Sequence, residues 1–151
     1  MKIGGVKVTR CEEILVLPRT GDNLIFIAHA VASMDEFDAM CPQPEATSRI
    51  VPGKGTVTHE TEGFLKELRA YNEKRHAYIC IKTLEPSNID WDNVDLEKPE
   101  TWAAWMEELE SAGLADIELQ RVQVLVLEAN ALSESKLKEA RDSFLLGRED
   151  A

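Results

Sequence analysis

Basic residues are scarce in this chain of 151 residues: 17 Lys and Arg stand against 28 Asp and Glu, a formal net charge of −11 at pH 7. A mean field of that sign repels duplex DNA and RNA, so no nucleic-acid partner is expected. Long apolar runs are missing as well: nowhere do about 18 apolar residues follow one another, which predicts no helix crossing a membrane. The opening MKIGGVKVTR lacks the apolar centre and small-residue cleavage site of a signal peptide, so the expected location is the cytoplasm of the cell that makes the protein. Cysteine is sparse, and Cys11, Cys41 and Cys80 are odd in number, far apart and in no C-x-x-C spacing. That pattern predicts reduced, largely buried thiols rather than a disulfide frame or a zinc site.

Motifs that carry chemistry are equally thin. VPGKGT (51–56) looks like a piece of a phosphate-binding loop. Such a loop needs a lysine directly before the hydroxyl residue and a helix opening behind it, so that backbone amides and the lysine cradle phosphate. Here Lys54 lies between Gly53 and Gly55, and the surrounding residues are those of a turn. His59-Glu60 begins like H-E-x-x-H, but the second histidine position holds Gly63. His29 and His76 fall on a strand and on a charged helix face, where an ordinary hydrogen-bonded histidine is expected. DWDNVD (90–95) suggests a calcium loop, yet Val94 takes the fifth position and Asp95 stands where the glycine belongs. No G-x-S-x-G occurs, and no local signature activates a cysteine. We therefore expect no catalytic residues, no metal and no cofactor.

What is present is an ordered succession of elements. The first third (1–33) is β-rich: KIGGVKV, EEILVLP and NLIFIAHAV are separated by turn formers and predict three antiparallel strands. In the third run Leu24, Phe26, Ala28 and Ala30 alternate with Ile25, Ile27, His29 and Val31, so both faces are apolar and need cover, from a helix on one side and from more protein or a partner on the other. Ser33 and Glu36 match a capping box, predicting a short helix through Met40 that Pro42 and Pro44 stop. Residues 42–63 are a Pro/Gly-rich loop or hairpin, with a turn at Pro52-Gly53. Residues 62–147 read as helical. Phe64, Leu68, Tyr71, Tyr78 and Ile79 lie on one stripe of a first long helix that Glu85-Pro86 ends. Pro99 opens a helix that stops at Gly113, RVQVLVL (121–127) is read as helix rather than strand, and Ser133 caps a last helix ending at Gly147. Strands first and helices afterwards make a single α+β domain.

One segment suits binding. From Glu85 to Glu110 nine acidic residues accompany only Lys98, and all of the chain's tryptophans lie there. Trp91, Trp102, Trp105 and Met106 are the candidate partner-binding residues, because aromatic anchors dominate interface energies. At helical spacing Trp102, Trp105 and Met106 are more often core than interface, whereas Trp91, in an irregular acidic stretch, is the better candidate for exposure. The acidity itself fits a well-solvated surface or a mimic that fills a basic groove on another protein.

Along most of its length the chain resembles the small tail assembly chaperone-like proteins of long-tailed bacteriophages. The resemblance rests on MKIGGVKVTR…ILVLPR, FDAMCPQPEA, WDNVDLEKPETWAAWMEELESAGL and EANALSESKLKEARDSFLLG, in that order. Its β-rich opening sets it apart from the better-known all-helical members. The resemblance implies a protein of the host cytoplasm that binds the aggregation-prone tape measure protein, recruits tail tube protein and leaves before the virion is complete. Self-association is expected for a protein that lines a long client with weak contacts. Two other roles fit the same features: a structural tail or connector subunit, and an acidic inhibitor of a host defence protein.

Overall fold

The computed structural model describes residues 1–53, 55–59, 61–132 and 134–149; Lys54, Glu60 and Ser133, singled out in the sequence, lie outside them. The architecture is α+β, with antiparallel strands first and helices after them.

The first apolar run does not join the strands that follow. It folds on itself, β1 (Lys2–Ile3) against β2 (Val6–Lys7), because Gly4 and Gly5 take φ of +59° and +83°. Two successive positive φ values make the turn that matches strand twist, and glycine adopts them without a Cβ penalty. The expected three-stranded sheet is therefore a small hairpin followed by a separate longer one. In that longer hairpin β3 (Glu12–Leu17) pairs with β4 (Leu24–His29) in unbroken register, from Glu12 opposite His29 to Leu17 opposite Leu24. Leu17, Phe26 and Ala28 are buried on its inner face.

Helix α1 (Asp35–Met40) follows as expected, although the Ser33 hydroxyl accepts from the Asp35 amide at 3.1 Å and the capping box does not close. β5 (Thr47–Val51) and β6 (Gly55–His59) pair as a hairpin across the Pro52-Gly53 turn. Thr61 then caps the long helix α2 (Glu62–Thr83), its hydroxyl accepting from the Phe64 amide at 3.1 Å. The second half of α2 is buried, from Ala77 onward, while most of the first half is exposed. A 3₁₀ turn at Glu85–Ser87 ends it, and a second 3₁₀ turn, Pro99–Ala104, leads into α3 (Trp105–Ala112). Gly113, at φ +116°, closes α3: its amide donates to Glu110 O, and the Leu114 amide donates to Leu109 O at 3.2 Å. Residues 121–127 are helical within α4 (Asp116–Ala129), and α5 (Glu134–Glu149) runs through Gly147 rather than stopping there.

The core is a single buried cluster between the inner face of β3–β4 and the helices α1, α2, α3 and α4. Its centre is aromatic. Phe37 on α1 lies 5.4 Å from Tyr78 and 6.0 Å from Trp102 between ring centroids, and Tyr78 lies 5.2 Å from Trp102. These are tilted pairs at distances where ring quadrupoles attract, in addition to the area buried. Asn130, just past α4, ties three elements together: its Oδ1 accepts from the Val31 amide at 2.9 Å, and its Nδ2 donates to Thr83 Oγ1 at 2.8 Å and to Val126 O at 2.9 Å.

Candidate protein-binding surface

Strand alternation creates the first element of the surface. With Leu15, Leu17, Phe26 and Ala28 turned to the core, Ile14 and Val16 on β3 must face outward beside Ile25 and Ile27 on β4. Ile14 is 57% exposed, Val16 50% and Ile25 57%. At one end of this row Glu12 Oε2 meets His29 Nε2. The second face of the strand, which the sequence required to be covered, is half-buried at Ile27 and His29 and open at Ile14, Val16 and Ile25. Adjacent exposed apolar side chains of this kind make the face a candidate binding surface.

Two further apolar elements stand out from the core. On α5, Leu137, Phe144 and Leu146 are exposed, and the start of the helix is held to the body by Lys136, whose ammonium meets Glu13 Oε1 and lies 4.0 Å from Glu128 Oε2. On the N-terminal hairpin Ile3 and Val6 are exposed too. None of these residues was singled out as a contact by sequence, because α5 and the first hairpin have apolar patterns indistinguishable from core-facing ones; only the tertiary arrangement reveals that no core meets them.

The residues that sequence did single out sit differently. Trp102 (0% exposed) and Trp105 are core residues, and their rings present nothing to a partner. The indole N–H of Trp102 donates to Asp95 O at 3.0 Å. Met106 is half-buried against the core, with Gln123 Nε2 3.8 Å from its sulfur. Trp91 is half-buried and lines a shallow cleft of ≈ 660 Å³ with Asp92, Asp95 and Lys98. The acidic segment around it is pinned: the Glu108 carboxylate on α3 accepts from the amides of Asp92, Asn93 and Val94 at 2.6, 2.9 and 3.1 Å. A carboxylate that gathers consecutive amides fixes a loop as a helix cap does, so this stretch is a built part of the fold rather than a free arm.

Charged groups elsewhere serve the frame. Arg19 reaches Glu118 with both terminal guanidinium nitrogens, at 2.7 and 2.8 Å, and the Ala115 amide donates to the same carboxylate at 3.0 Å. These contacts, the arginine first, hold the Glu118 carboxyl below its ordinary value. A second cleft of ≈ 690 Å³ is lined by Arg10, His29, Tyr78, Lys82 and Glu85. Among the described residues the Tyr78 hydroxyl has no hydrogen-bond partner, and burial pushes it up. The Cys80 thiol lies 3.7 Å from His76 Nε2, a pairing that in other settings makes a nucleophile. Here burial drives Cys80 up to about 12, so the thiol stays protonated. Cys41 is also raised by burial, with Lys74 opposing. Under mildly alkaline conditions iodoacetamide is therefore expected to label Cys11, which is exposed, long before Cys41 or Cys80 in the native protein. Peptide mass spectrometry checks this, and early labelling of Cys80 would contradict the packing around α2.

Among the described residues no group of three or more His, Cys, Asp or Glu side chains is placed to hold a metal ion, and no helix is long and apolar enough to cross a membrane. No protein-family model, curated protein or solved structure matches the chain.

Proposed function

We propose that this is a protein-binding protein without enzymatic activity, a tail assembly chaperone of a long-tailed bacteriophage that keeps the tape measure protein soluble and recruits tail tube subunits in the host cytoplasm. The observation that carries the reading is the uncovered apolar row Ile14, Val16 and Ile25 on a molecule whose net charge is otherwise −11. An apolar face lets a long client bury its own apolar stripe, and the surrounding acidity keeps the complex soluble. The exposed apolar residues of α5 supply a second contact, and several weak contacts along one client add through effective concentration.

The test is co-expression with the tape measure protein. Soluble yield of the client rises when this chain is present, and the double change Val16→Lys with Ile25→Lys removes most of that gain. Each aliphatic side chain contributes about 1.5–3 kcal/mol when fully buried, so losing two costs on the order of a hundredfold or more in affinity. Trp91→Ala, at a half-buried position, costs less. An unchanged client yield together with recovery of the protein in finished particles assigns it to the tail structure instead. Salt-sensitive capture of a basic nucleic-acid-binding protein assigns it to inhibition of host defence.

A further inference from the structure

The two edges of the β3–β4 hairpin are treated differently. On β4 the middle one of the three outward-pointing residues, Ile27, is bonded: its amide donates to Ser87 Oγ at 2.8 Å, and the Ser87 hydroxyl donates back to Ile27 O at 2.8 Å. The 3₁₀ turn at Glu85–Ser87 thus occupies the centre of that edge. The same bonds fix the phase of the ladder. If Ile27 turns its polar groups away from β3, then its partner Ile14 turns its own away from β4, and Glu12 and Val16 follow with the strand period. The Ala30 amide donating to Cys11 O at 3.0 Å agrees, since it places the inter-strand bonds on the odd residues of β3.

Among the described residues nothing accepts from or donates to the backbone of Ile14 or Val16. The register of β3 runs without a bulge, and EEILVL contains no proline or lysine. Its two charges, Glu12 and the inward Glu13 that Lys136 meets, stand at one end of the strand, and Ile14 to Leu17 carry none of the devices that stop edge-to-edge pairing, which leaves a template for another strand.

The geometry points to a second copy of this chain as the occupant: β3 pairs antiparallel with β3 of another molecule about a two-fold axis through Ile14, making one four-stranded sheet. In that register Ile14 faces its own counterpart and Glu12 faces Val16 of the other copy. Glu12 of one copy then stands about 13 Å along the strand from the other Glu12, so no like charges lie opposite each other. A slip that sets Glu12 against Glu12 is disfavoured for that reason. The rows Ile14, Val16 and Ile25 of both copies merge into one apolar face, twice as wide as a single hairpin offers. Because the 3₁₀ turn bearing Ser87 occupies the middle of the β4 edge, pairing ends at two copies and no filament grows. A sheet of this width is also more robust than an isolated two-stranded ribbon. The inference holds whatever the client is.

Sedimentation velocity on the purified full chain, without client, tests it. We expect twice the chain mass of 16.9 kDa at tens of micromolar. Association should tighten with added salt, because two molecules of charge −11 repel each other and salt screens that repulsion. Ile14→Pro removes an outward amide without touching the β3–β4 bonds, and should weaken the dimer on the order of a hundredfold. Ile25→Lys, on the same face but away from the edge, should leave it intact, and circular dichroism confirms that both variants fold. In a Cys11→Ser background Ile14→Cys should oxidise to a covalent dimer, since directly opposed bonded residues lie about 5.5 Å apart between Cα atoms, within disulfide reach. Ile25→Cys should not, its counterparts being about 20 Å apart, three strand spacings across the sheet and four residues along it. A monomer under these conditions overturns the proposal, as does a dimer that ignores Ile14→Pro and fails to cross-link through Ile14→Cys. A monomer whose β3 amides become protected from hydrogen exchange only on adding tape measure protein would give the edge to the client.

Discussion

Trp102→Ala should cost about 3–5 kcal/mol, enough to leave much of the chain unfolded at physiological temperature, given that whole domains are stable by only about 5–15 kcal/mol. Trp102 is fully buried and meets both Phe37 and Tyr78, so its removal opens a cavity where α1, α2 and the Pro99–Ala104 turn converge. The Asp95 carbonyl that its indole N–H satisfies loses a partner at the same time. Urea melts followed by far-ultraviolet circular dichroism measure the loss. Trp102→Phe keeps most of the ring volume and should lose clearly less, the difference reporting the cavity. Equal losses for the two variants would mean that the hydrogen bond, not the packing, dominates at this position.

The second large effect is expected at Asn130, whose side chain holds the end of β4, the end of α2 and the end of α4 together. Thr83 is fully buried, so Asn130→Ala leaves its hydroxyl and the Val31 amide without their partner in a poorly hydrated place. Groups stranded in this way cost about 1–3 kcal/mol each, and a total of about 2–4 kcal/mol is expected. Thermal unfolding should show it, with amide exchange at Val31 rising faster than exchange in the middle of α2. A loss below about 0.5 kcal/mol, the range of ordinary surface changes, would mean that water replaces the amide at little cost.

Local signals made much of this fold legible. Pro99 and Gly113 bracket the Pro99–Ala112 helical segment, Glu85-Pro86 ends α2, and the Pro52-Gly53 turn joins β5 to β6. The alternation in NLIFIAHAV showed that both faces of β4 are apolar, and hence that one of them needs a cover. Signals that depend on the partner of a residue were not legible. Gly4 and Gly5 break the first run into its own hairpin, a choice between two antiparallel pairings that composition does not make. Ser33 prefers the Asp35 amide to the one a capping box requires. Gly147 costs a helix only about 1 kcal/mol, so α5 runs through it.

Where apolar residues stay exposed was not legible in any one segment. Tryptophans attract attention as interface anchors, yet Trp102 and Trp105 have the helical spacing of a buried stripe, and the core takes them. The exposed apolar residues lie instead on β3, β4 and α5, where the pattern resembles that of any amphipathic element. Which amphipathic element is left without a neighbour is a property of the whole packing, and no single segment records it.

The most direct measurement places a photo-cross-linking amino acid at Val16, at Ile25 and, as a control, at Lys66 on the exposed first half of α2, in the chain co-expressed with the tape measure protein. Substitution at Val16 and Ile25 should join the chain covalently to the tape measure protein, with the control giving little product. Client captured equally well from all three positions, or from none while it nevertheless stays soluble, would contradict a role for the β3–β4 face.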